Sequence, residues 1–227
     1  IIESIRAGLL KGPSMYLSNP NYSPTSHASE PSTYLARMES VIETRLDQLS
    51  SETRTIVNIA AVVGREFSYD ILVEASGIDE ESLVDALDEA LARGIIREQR
   101  SDTYDFSHGK LRDALYGGLS NARRRLYHKK LADLLEASDQ ESSGELAGQL
   151  ALHYELGGQF EKAIQAYLQS ARASQLIFAN QEALSTYQHL LSSELANKLS
   201  VDTRCDILFT AGKLWYTLGQ RQDANSH

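Results

Sequence analysis

The chain has 227 residues, of which 42% are hydrophobic and 23% are charged, and its formal net charge is −9. This composition is typical of a globular protein with one large or two ordinary domains. The sequence contains neither an apolar run of about 18 residues nor a charged-then-apolar leader, so we expect a cytoplasmic protein. The single cysteine excludes a disulfide framework and a cysteine-based zinc site, and the net acidity argues against a large nonspecific nucleic-acid footprint.

The N-terminal stretch, 1–33, is predicted to contain one short helix and a linker. Residues 1–11 carry apolar side chains at the spacing of an amphipathic helix, namely Ile1, Ile2, Ile5, Leu9 and Leu10. All four prolines of the chain fall in residues 12–33, together with six serines. This second stretch is therefore predicted to be a flexible linker without regular structure.

Residues 34–138 contain the signals of a compact helical domain. Periodic apolar residues predict helices over 34–49, 51–63, 69–76 and 80–93, and capping residues flank them: Ser50, Gly64, Ser68, Gly77, Asp79 and Gly94. Ile95 and Ile96 begin one predicted strand and Thr103–Ser107 forms a second, joined by a polar turn. Three helices with a two-stranded wing predict a winged-helix domain in a mainly α protein.

The stretch TYDFSHGKLRDALYGGLS, residues 103–120, runs from the second strand into a helix, with His108 at the junction. After His108 the apolar spacing changes from alternating to helical. Backbone N–H groups at a helix start have no intrahelical acceptor, so a polar side chain there can face an anion such as phosphate. The same position also suits a capping or packing residue, and the residues alone leave both roles open.

Phe106, His108 and the helix L-R-D-A-L-Y of Leu111–Tyr116 resemble the end of the winged-helix domain in STAND-type ATPases (signal transduction ATPases with numerous domains). The segment RLDQLSSETRTIVNIAAVVGREFS, residues 45–68, resembles the entrance of the same domain. The resemblance implies that His108 is a cofactor-binding sensor that contacts the phosphate of ADP. It also implies that ADP or ATP is held in the full-length parent by a preceding nucleotide-binding domain, whose end would be residues 1–11.

The implied role is a signal-transduction module in transcriptional regulation, from a parent that resembles LuxR-type regulators, nucleotide cyclases or bacterial multidomain kinases. The chain itself has no G-x-x-x-x-G-K-S/T loop, no His-Glu-x-x-His, no paired cysteines and no nucleophile elbow. We therefore predict that this chain alone is not an enzyme, has no catalytic residues, binds no metal and does not hydrolyse ATP.

Residues 145–227, after a polar break, are predicted to form tetratricopeptide-like helical repeats. Small and aromatic residues recur at the spacing of a repeat helix pair: Leu150, Ala151, Tyr154, Gly158, Ala163 and Tyr167. The second-helix pattern recurs at Ala183, Tyr187 and Leu190. These residues follow Ala163 at an interval well below the usual repeat length. The first-helix pattern recurs over residues 208–224. Such repeats predict a surface for a protein or small-molecule inducer, in a chain that is expected to be a fragment of a longer protein.

Two other hypotheses stay open. One is a winged-helix DNA-binding protein with a repeat-based dimerisation arm, for which helix 80–93 is unsuitable because its acidic side chains would repel phosphate. The other is a purely structural scaffold in which His108 only caps its helix. A basic cluster, Arg123, Arg124, Arg125, Lys129 and Lys130, is either a solvated face or a contact for an acidic partner or nucleic acid.

Four further residues are predicted to have packing or surface roles. His153 and His189 lie on predicted repeat helices and are expected to be packing or surface residues. Cys205 is expected to pack between helices. The helix predicted over 121–137 is expected to bury Leu126 with other leucines along one face.

Overall fold

The computed structural model describes residues 42–99, 102–138 and 144–225, and it is mainly helical. The chain divides into two compact units, the first ending at Leu134 and the second beginning at Leu135. The helix predicted at 1–11 and the linker at 12–33 lie outside the described residues, as does most of the helix predicted at 34–49, of which residues 42–47 are helical. None of the helices in the described ranges is long and apolar enough to cross a membrane.

The first unit combines helices with a small sheet. Its elements are α1 (Ser51–Val63), β1 (Glu66–Ser68), α2 (Tyr69–Ser76), α3 (Glu80–Ala92), β2 (Ile96–Glu98), β3 (Thr103–Phe106), α4 (Gly109–Gly118) and most of α5 (Asn121–Ser138). The predicted N-caps Ser50, Ser68 and Asp79 are confirmed, since each side chain accepts a backbone N–H three residues further on.

The two predicted strands pair antiparallel as β2 and β3, but the sheet contains a third strand, β1, that was not predicted. The sheet has three antiparallel strands in the order β1-β3-β2, and β1 pairs Phe67 with Tyr104. Strand β1 is too short to show an alternating pattern, and Ser68 at its end carries the stronger signal of a helix cap. The coarser prediction of a mainly α chain is confirmed.

The carboxylate of Glu89 ties α3 to the start of α1. It accepts a hydrogen bond from Thr53 Oγ1 at 2.5 Å and from the Ser50 backbone N–H at 3.2 and 3.3 Å. Arg93 Nε donates to the same carboxylate at 2.9 Å. The hydrogen bonds from Thr53 and Ser50 lower the pKa of Glu89 from 4.5 to about 2. A negative charge at a helix N-terminus is also favourable to the helix dipole.

Replacing Glu89 by glutamine is expected to lower the thermal midpoint at neutral pH and to make little difference near pH 2. The pKa of Glu89 is lower in the folded chain, about 2, than the ordinary value of 4.5. Ionisation therefore stabilises the fold fully above pH 4.5, and this stability is lost as the pH falls towards 2. Calorimetric midpoints of the wild type and Glu89→Gln across this range measure the effect.

The control for this experiment is Asp85→Asn, because Asp85 is exposed on the same helix. We expect this variant to follow the wild-type curve at every pH. A gap between the wild type and Glu89→Gln that stays constant down to pH 2 would contradict the assignment of the lowered pKa.

The second unit is a series of helices. Its elements after the end of α5 are α6 (Gly144–Leu156), α7 (Phe160–Leu176), α8 (Asn180–Ser192), a 3-10 helix (Glu194–Lys198) and α9 (Val201–Asn225). Each helix from α6 onward packs on the next. Helices α6 and α7 approach closely at Gly148, where an added Cβ would lie 3.1 Å from Ser170 Oγ.

The short interval between Ala163 and Ala183 arises at two successive helix corners, meaning the turn that joins α6 to α7 and the turn that joins α7 to α8. The two corners have the same geometry. The Tyr167 hydroxyl donates to Glu155 Oε2 at 2.8 Å and the Tyr187 hydroxyl to Gln175 Oε1 at 3.3 Å, and each acceptor lies 12 residues earlier. Both corners contain a residue with left-handed backbone conformation, Gly158 with φ 78° and Phe178 with φ 60°. The Ala and Tyr pattern therefore marks adjacent helices, α7 and α8, with no other helix between them.

Two residues that were expected to pack face solvent instead. Leu126 is 48% exposed, because the buried face of α5 is formed by Tyr127, Leu131 and Leu135. Cys205 is exposed as well. Helix α9 packs through Ile207, and residues two positions apart on a helix point to nearly opposite sides.

Candidate functional site

His108 lies at the corner between β3 and α4, where the sequence predicted it. It is exposed, as are Gly109 and Lys110, which form the first turn of α4. His108 occupies the N-cap position with extended backbone angles, φ −142° and ψ 134°, but its side chain makes no capping hydrogen bond. The imidazole is thus not used to satisfy the N–H groups at this helix end.

The corner itself is fixed by Ser107. Its hydroxyl donates to the carbonyl oxygen of Gly94 at 2.5 Å or of Ile95 at 3.1 Å, and its backbone N–H donates to Ile95 O at 3.0 Å. The preceding residue, Phe106, is only 2% exposed. The backbone that carries His108 is therefore anchored to the sheet on its N-terminal side.

The helix that follows His108 is held by the other residues of the motif. Leu111 and Leu115 are each 1% exposed and face the core. Arg112 Nε donates to Ala61 O at 3.1 Å and so satisfies a carbonyl in the last turn of α1. The Tyr116 hydroxyl lies 3.0 Å from His128 Nε2. These side chains position α4, and His108 projects from its start.

Arg124 closes the other end of α4. Its Nε donates to Tyr116 O at 3.0 Å, its Nη2 donates to Gly117 O at 2.7 Å, and its guanidinium lies 4.8 Å from the centre of the Tyr116 ring. A cation at a helix C-terminus satisfies carbonyl groups and complements the helix dipole. Arg124 follows the end of α4 closely in sequence, so its role had a local signal, whereas Arg112 contacts a carbonyl 51 residues earlier and had none.

The basic cluster on α5 is thus partly used by the fold. Besides Arg124, Lys130 Nζ lies 3.5 Å from Ala75 O, and the Arg123 guanidinium lies 5.9 Å from the Tyr127 ring centre. Arg125 and Lys129 are exposed. The fold thus uses Arg124, while the other four basic side chains of the cluster remain exposed.

The acidic face of α3 has the character that the sequence predicted. Its exposed residues include Glu80, Glu81, Asp85 and Asp88. Such a surface repels the DNA backbone, because affinity for DNA depends on neutralising its phosphates. This acidic surface therefore argues against α3 as a helix that enters a DNA groove.

Two other described histidines, His153 and His189, lie in the second unit. His153 is 7% exposed, and burial lowers its pKa from 6.5 to about 4. His189 Nε2 lies 2.8 Å from Glu155 Oε2. In the part of the chain that the structure describes, no three His, Cys, Asp or Glu residues are grouped so that they could hold a metal ion.

Comparison with known proteins gives little functional information. No protein-family model and no solved structure matches the chain. An uncharacterized protein of Rhizobium meliloti (strain 1021) is 25% identical over 187 residues, which is 81% of this chain and 18% of that protein. The chain thus spans less than one fifth of this relative's length.

Proposed function

We propose that this chain is the regulatory module of a STAND-type ATPase. The first unit would be a winged-helix domain that senses whether ADP or ATP is bound, and the second would be a set of tetratricopeptide-like repeats that bind an inducer or partner protein. The observation that carries the proposal is the exposed imidazole of His108 at a rigid strand-to-helix corner, where it makes no capping hydrogen bond. Because the His108 side chain makes no capping hydrogen bond, it is available to a ligand.

The chemistry of this corner suits a phosphate. The first N–H groups of α4, from Gly109 and Lys110, have no intrahelical acceptor, and the positive end of the helix dipole lies beside them. An imidazole that donates to a phosphate oxygen forms a charge-assisted hydrogen bond worth about 1.5–3 kcal/mol. Such a bond shifts a two-state equilibrium by about one to two decades.

The nucleotide would be held by another domain of the parent, in which ATP hydrolysis would also take place. The matched segment is only 18% of the Rhizobium meliloti relative, so that protein has room for further domains. In this proposal His108 stabilises the closed, ADP-bound state, and the inducer binds the second unit and opposes that state. The output of the parent would be transcriptional regulation or another signalling reaction.

Replacing His108 by alanine in the full-length parent is expected to weaken ADP retention by about 10- to 100-fold and to raise activity in the absence of signal. The fold should be unaffected, because the side chain is exposed and caps nothing. The release rate of a fluorescent ADP analogue from the purified parent measures the effect. Asp113→Asn is the matched control, since Asp113 is exposed on the same helix.

The variant His108→Asn separates the sensor from a structural role. Asparagine is a good helix cap, so in a purely structural scaffold it would keep both thermal stability and ADP retention. In the sensor hypothesis it keeps stability but releases ADP. Full ADP retention by both the alanine and the asparagine variants would eliminate His108 as a sensor and favour the scaffold.

A further inference from the structure

An acidic stripe crosses the exposed face of α3. It consists of Glu81, Val84 and Asp88, at the spacing i, i+3 and i+7, which places the three side chains on one face of a helix. All three are exposed, and Val84 is a large apolar side chain that is 45% exposed. The acidic stripe therefore has an apolar centre with a carboxylate on either side.

A basic stripe on α5 repeats this arrangement with the opposite charge. It consists of Arg123, Leu126 and Lys130, again at the spacing i, i+3 and i+7. All three are exposed, and Leu126 is 48% exposed. Among the described residues of the first unit, Leu126 and Val84 are the two large apolar side chains most open to solvent. Each of them lies at the centre of one stripe.

The four charges of the two stripes are not neutralised inside the chain. In the ranges that the structure describes, none of these four side chains belongs to an ion pair. The basic stripe has two internal contacts: the Arg123 guanidinium lies 5.9 Å from the Tyr127 ring centre, and Lys130 Nζ lies 3.5 Å from Ala75 O. Neither contact is with an ionised group, so both stripes keep their full charge for another molecule.

The two stripes are complementary to each other. If α3 of one copy packs on α5 of another, Val84 meets Leu126 and each carboxylate lies opposite a cation. This match holds for parallel and for antiparallel helices, because in both stripes the charges lie three residues before and four residues after the apolar centre. An apolar centre with a charged rim is the usual anatomy of a protein interface, and opposite charges give it specificity.

The acidic stripe favours a second copy over a nucleic acid as the occupant. Phosphates would neutralise the basic stripe, but they would be repelled by the acidic stripe and would leave Val84 and Leu126 without an apolar partner. A second copy covers both stripes at once, since each copy carries one of each kind. The surface is therefore self-complementary, as an interface between identical chains requires.

We infer that this chain self-associates, with the acidic stripe of α3 in one copy packed on the basic stripe of α5 in a second copy. The inference goes beyond the proposed function, because it requires neither ADP nor an inducer. Ion pairs at a protein surface are individually weak and are screened by salt. The association is therefore weak and depends strongly on ionic strength.

Sedimentation equilibrium of the full 227-residue chain tests the association. In about 0.1 M salt the average mass should rise above 25.2 kDa, the mass of one chain, as the protein concentration increases. In about 1 M salt the rise should be largely lost, because the screening length falls from about 10 Å to about 3 Å. A mass that stays at one chain up to about 1 mM protein in the lower salt would overturn the inference.

Charge reversal identifies the two surfaces. The double variants Glu81→Lys/Asp88→Lys and Arg123→Glu/Lys130→Glu should each self-associate roughly tenfold more weakly or worse, because like charges then face each other. An equimolar mixture of the two should regain the wild-type affinity, since every reversed stripe then faces one of opposite charge. Each double reversal changes the net charge of −9 by four units, so both variants stay net negative and overall attraction cannot explain the recovery.

The matched control reverses two exposed carboxylates of the first unit that lie on other helices, Glu74→Lys/Asp113→Lys, and should associate like the wild type. Leu126→Ala should weaken association about fivefold, because the removed carbons lose their burial in the contact. Circular dichroism checks that each variant is folded. A mixture of the reversal variants that stays at the mass of one chain would contradict the inference, as would association that persists in each variant alone. No nucleotide is present, so the ADP-release test of His108 is independent of this one.

Discussion

Replacing Phe67 by alanine is expected to destabilise the first unit by about 3–5 kcal/mol, the usual cost of truncating a buried phenylalanine. The side chain is 1% exposed, its ring centre lies 5.5 Å from that of Phe106, and it stacks on Tyr104 at 6.1 Å. Its removal leaves a cavity between β1 and β3 and removes the main apolar anchor of β1. Urea unfolding followed by circular dichroism measures the total loss of stability.

Hydrogen exchange of the full chain shows where the loss occurs. Phe106 precedes His108 by two residues, so Phe67→Ala should speed exchange in β1, β3 and the first turn of α4, with little change in α6–α9. The control is Phe178→Ala, because Phe178 is 78% exposed. Equal, small effects of the two substitutions would contradict the packing described here. Faster exchange at the corner would link the sheet core to the rigidity of the candidate sensor.

The helix ends of the first unit could be predicted because their signals are local. Ser50, Ser68 and Asp79 each bond a backbone N–H three residues away, so their role is visible within one turn of sequence. Strand β1 was missed because its signal is not local. Glu66 pairs with Asp105, which lies beyond two intervening helices and another strand, and so short a strand becomes recognisable only through such a partner.

The candidate site likewise has one feature that local sequence could predict and one that it could not. The change of apolar spacing after Phe106 located the strand-to-helix corner and placed His108 on it. The support of the corner could not be predicted, because Arg112 reaches a carbonyl 51 residues earlier, at Ala61. A lone arginine on a helix has many possible partners in solvent and in the fold. Only the packing of α4 against α1 selects one of them.

In the second unit the predicted residues lie on helices, but the interval between these helices differs from the usual repeat length. The spacing of Ala163, Tyr167, Ala183 and Tyr187 was recognised, but the interval between the two pairs appeared irregular against the usual repeat length. The structure explains it, since both tyrosines reach back across a corner to the preceding helix.

The first of these corners contains a shared, partly buried acceptor. Glu155 Oε2 accepts from the Tyr167 hydroxyl at 2.8 Å and also lies 2.8 Å from His189 Nε2. Tyr167 is 2% exposed, and burial together with the charge of Glu155 raises its pKa, so the hydroxyl remains a neutral donor. The ring centres of Tyr167 and His189 are 5.1 Å apart. One carboxylate thus joins α6, α7 and α8.

Replacing Glu155 by alanine is expected to destabilise the second unit by about 3 kcal/mol, because it removes a charged acceptor and leaves the buried hydroxyl of Tyr167 unpaired. Tyr167→Phe should cost less, about 1–2 kcal/mol, since no polar group is then left buried without a partner. The double variant should lose less than the sum of the two single losses, because both remove the same bond. Urea unfolding of the wild type, the two single variants and the double variant gives the four free energies that this double-mutant cycle needs.

The second corner provides the matched control for this cycle. Gln175 is a neutral acceptor and lies 3.3 Å from the Tyr187 hydroxyl, so its bond is longer and weaker than that of Glu155. Gln175→Ala is therefore expected to cost about 1 kcal/mol. Equal losses for Glu155→Ala and Gln175→Ala, or strict additivity in the cycle, would show that the carboxylate does not join the three helices. A larger loss at Glu155 would show that this carboxylate stabilises the packing of α6, α7 and α8 more than the neutral acceptor Gln175 stabilises the second corner.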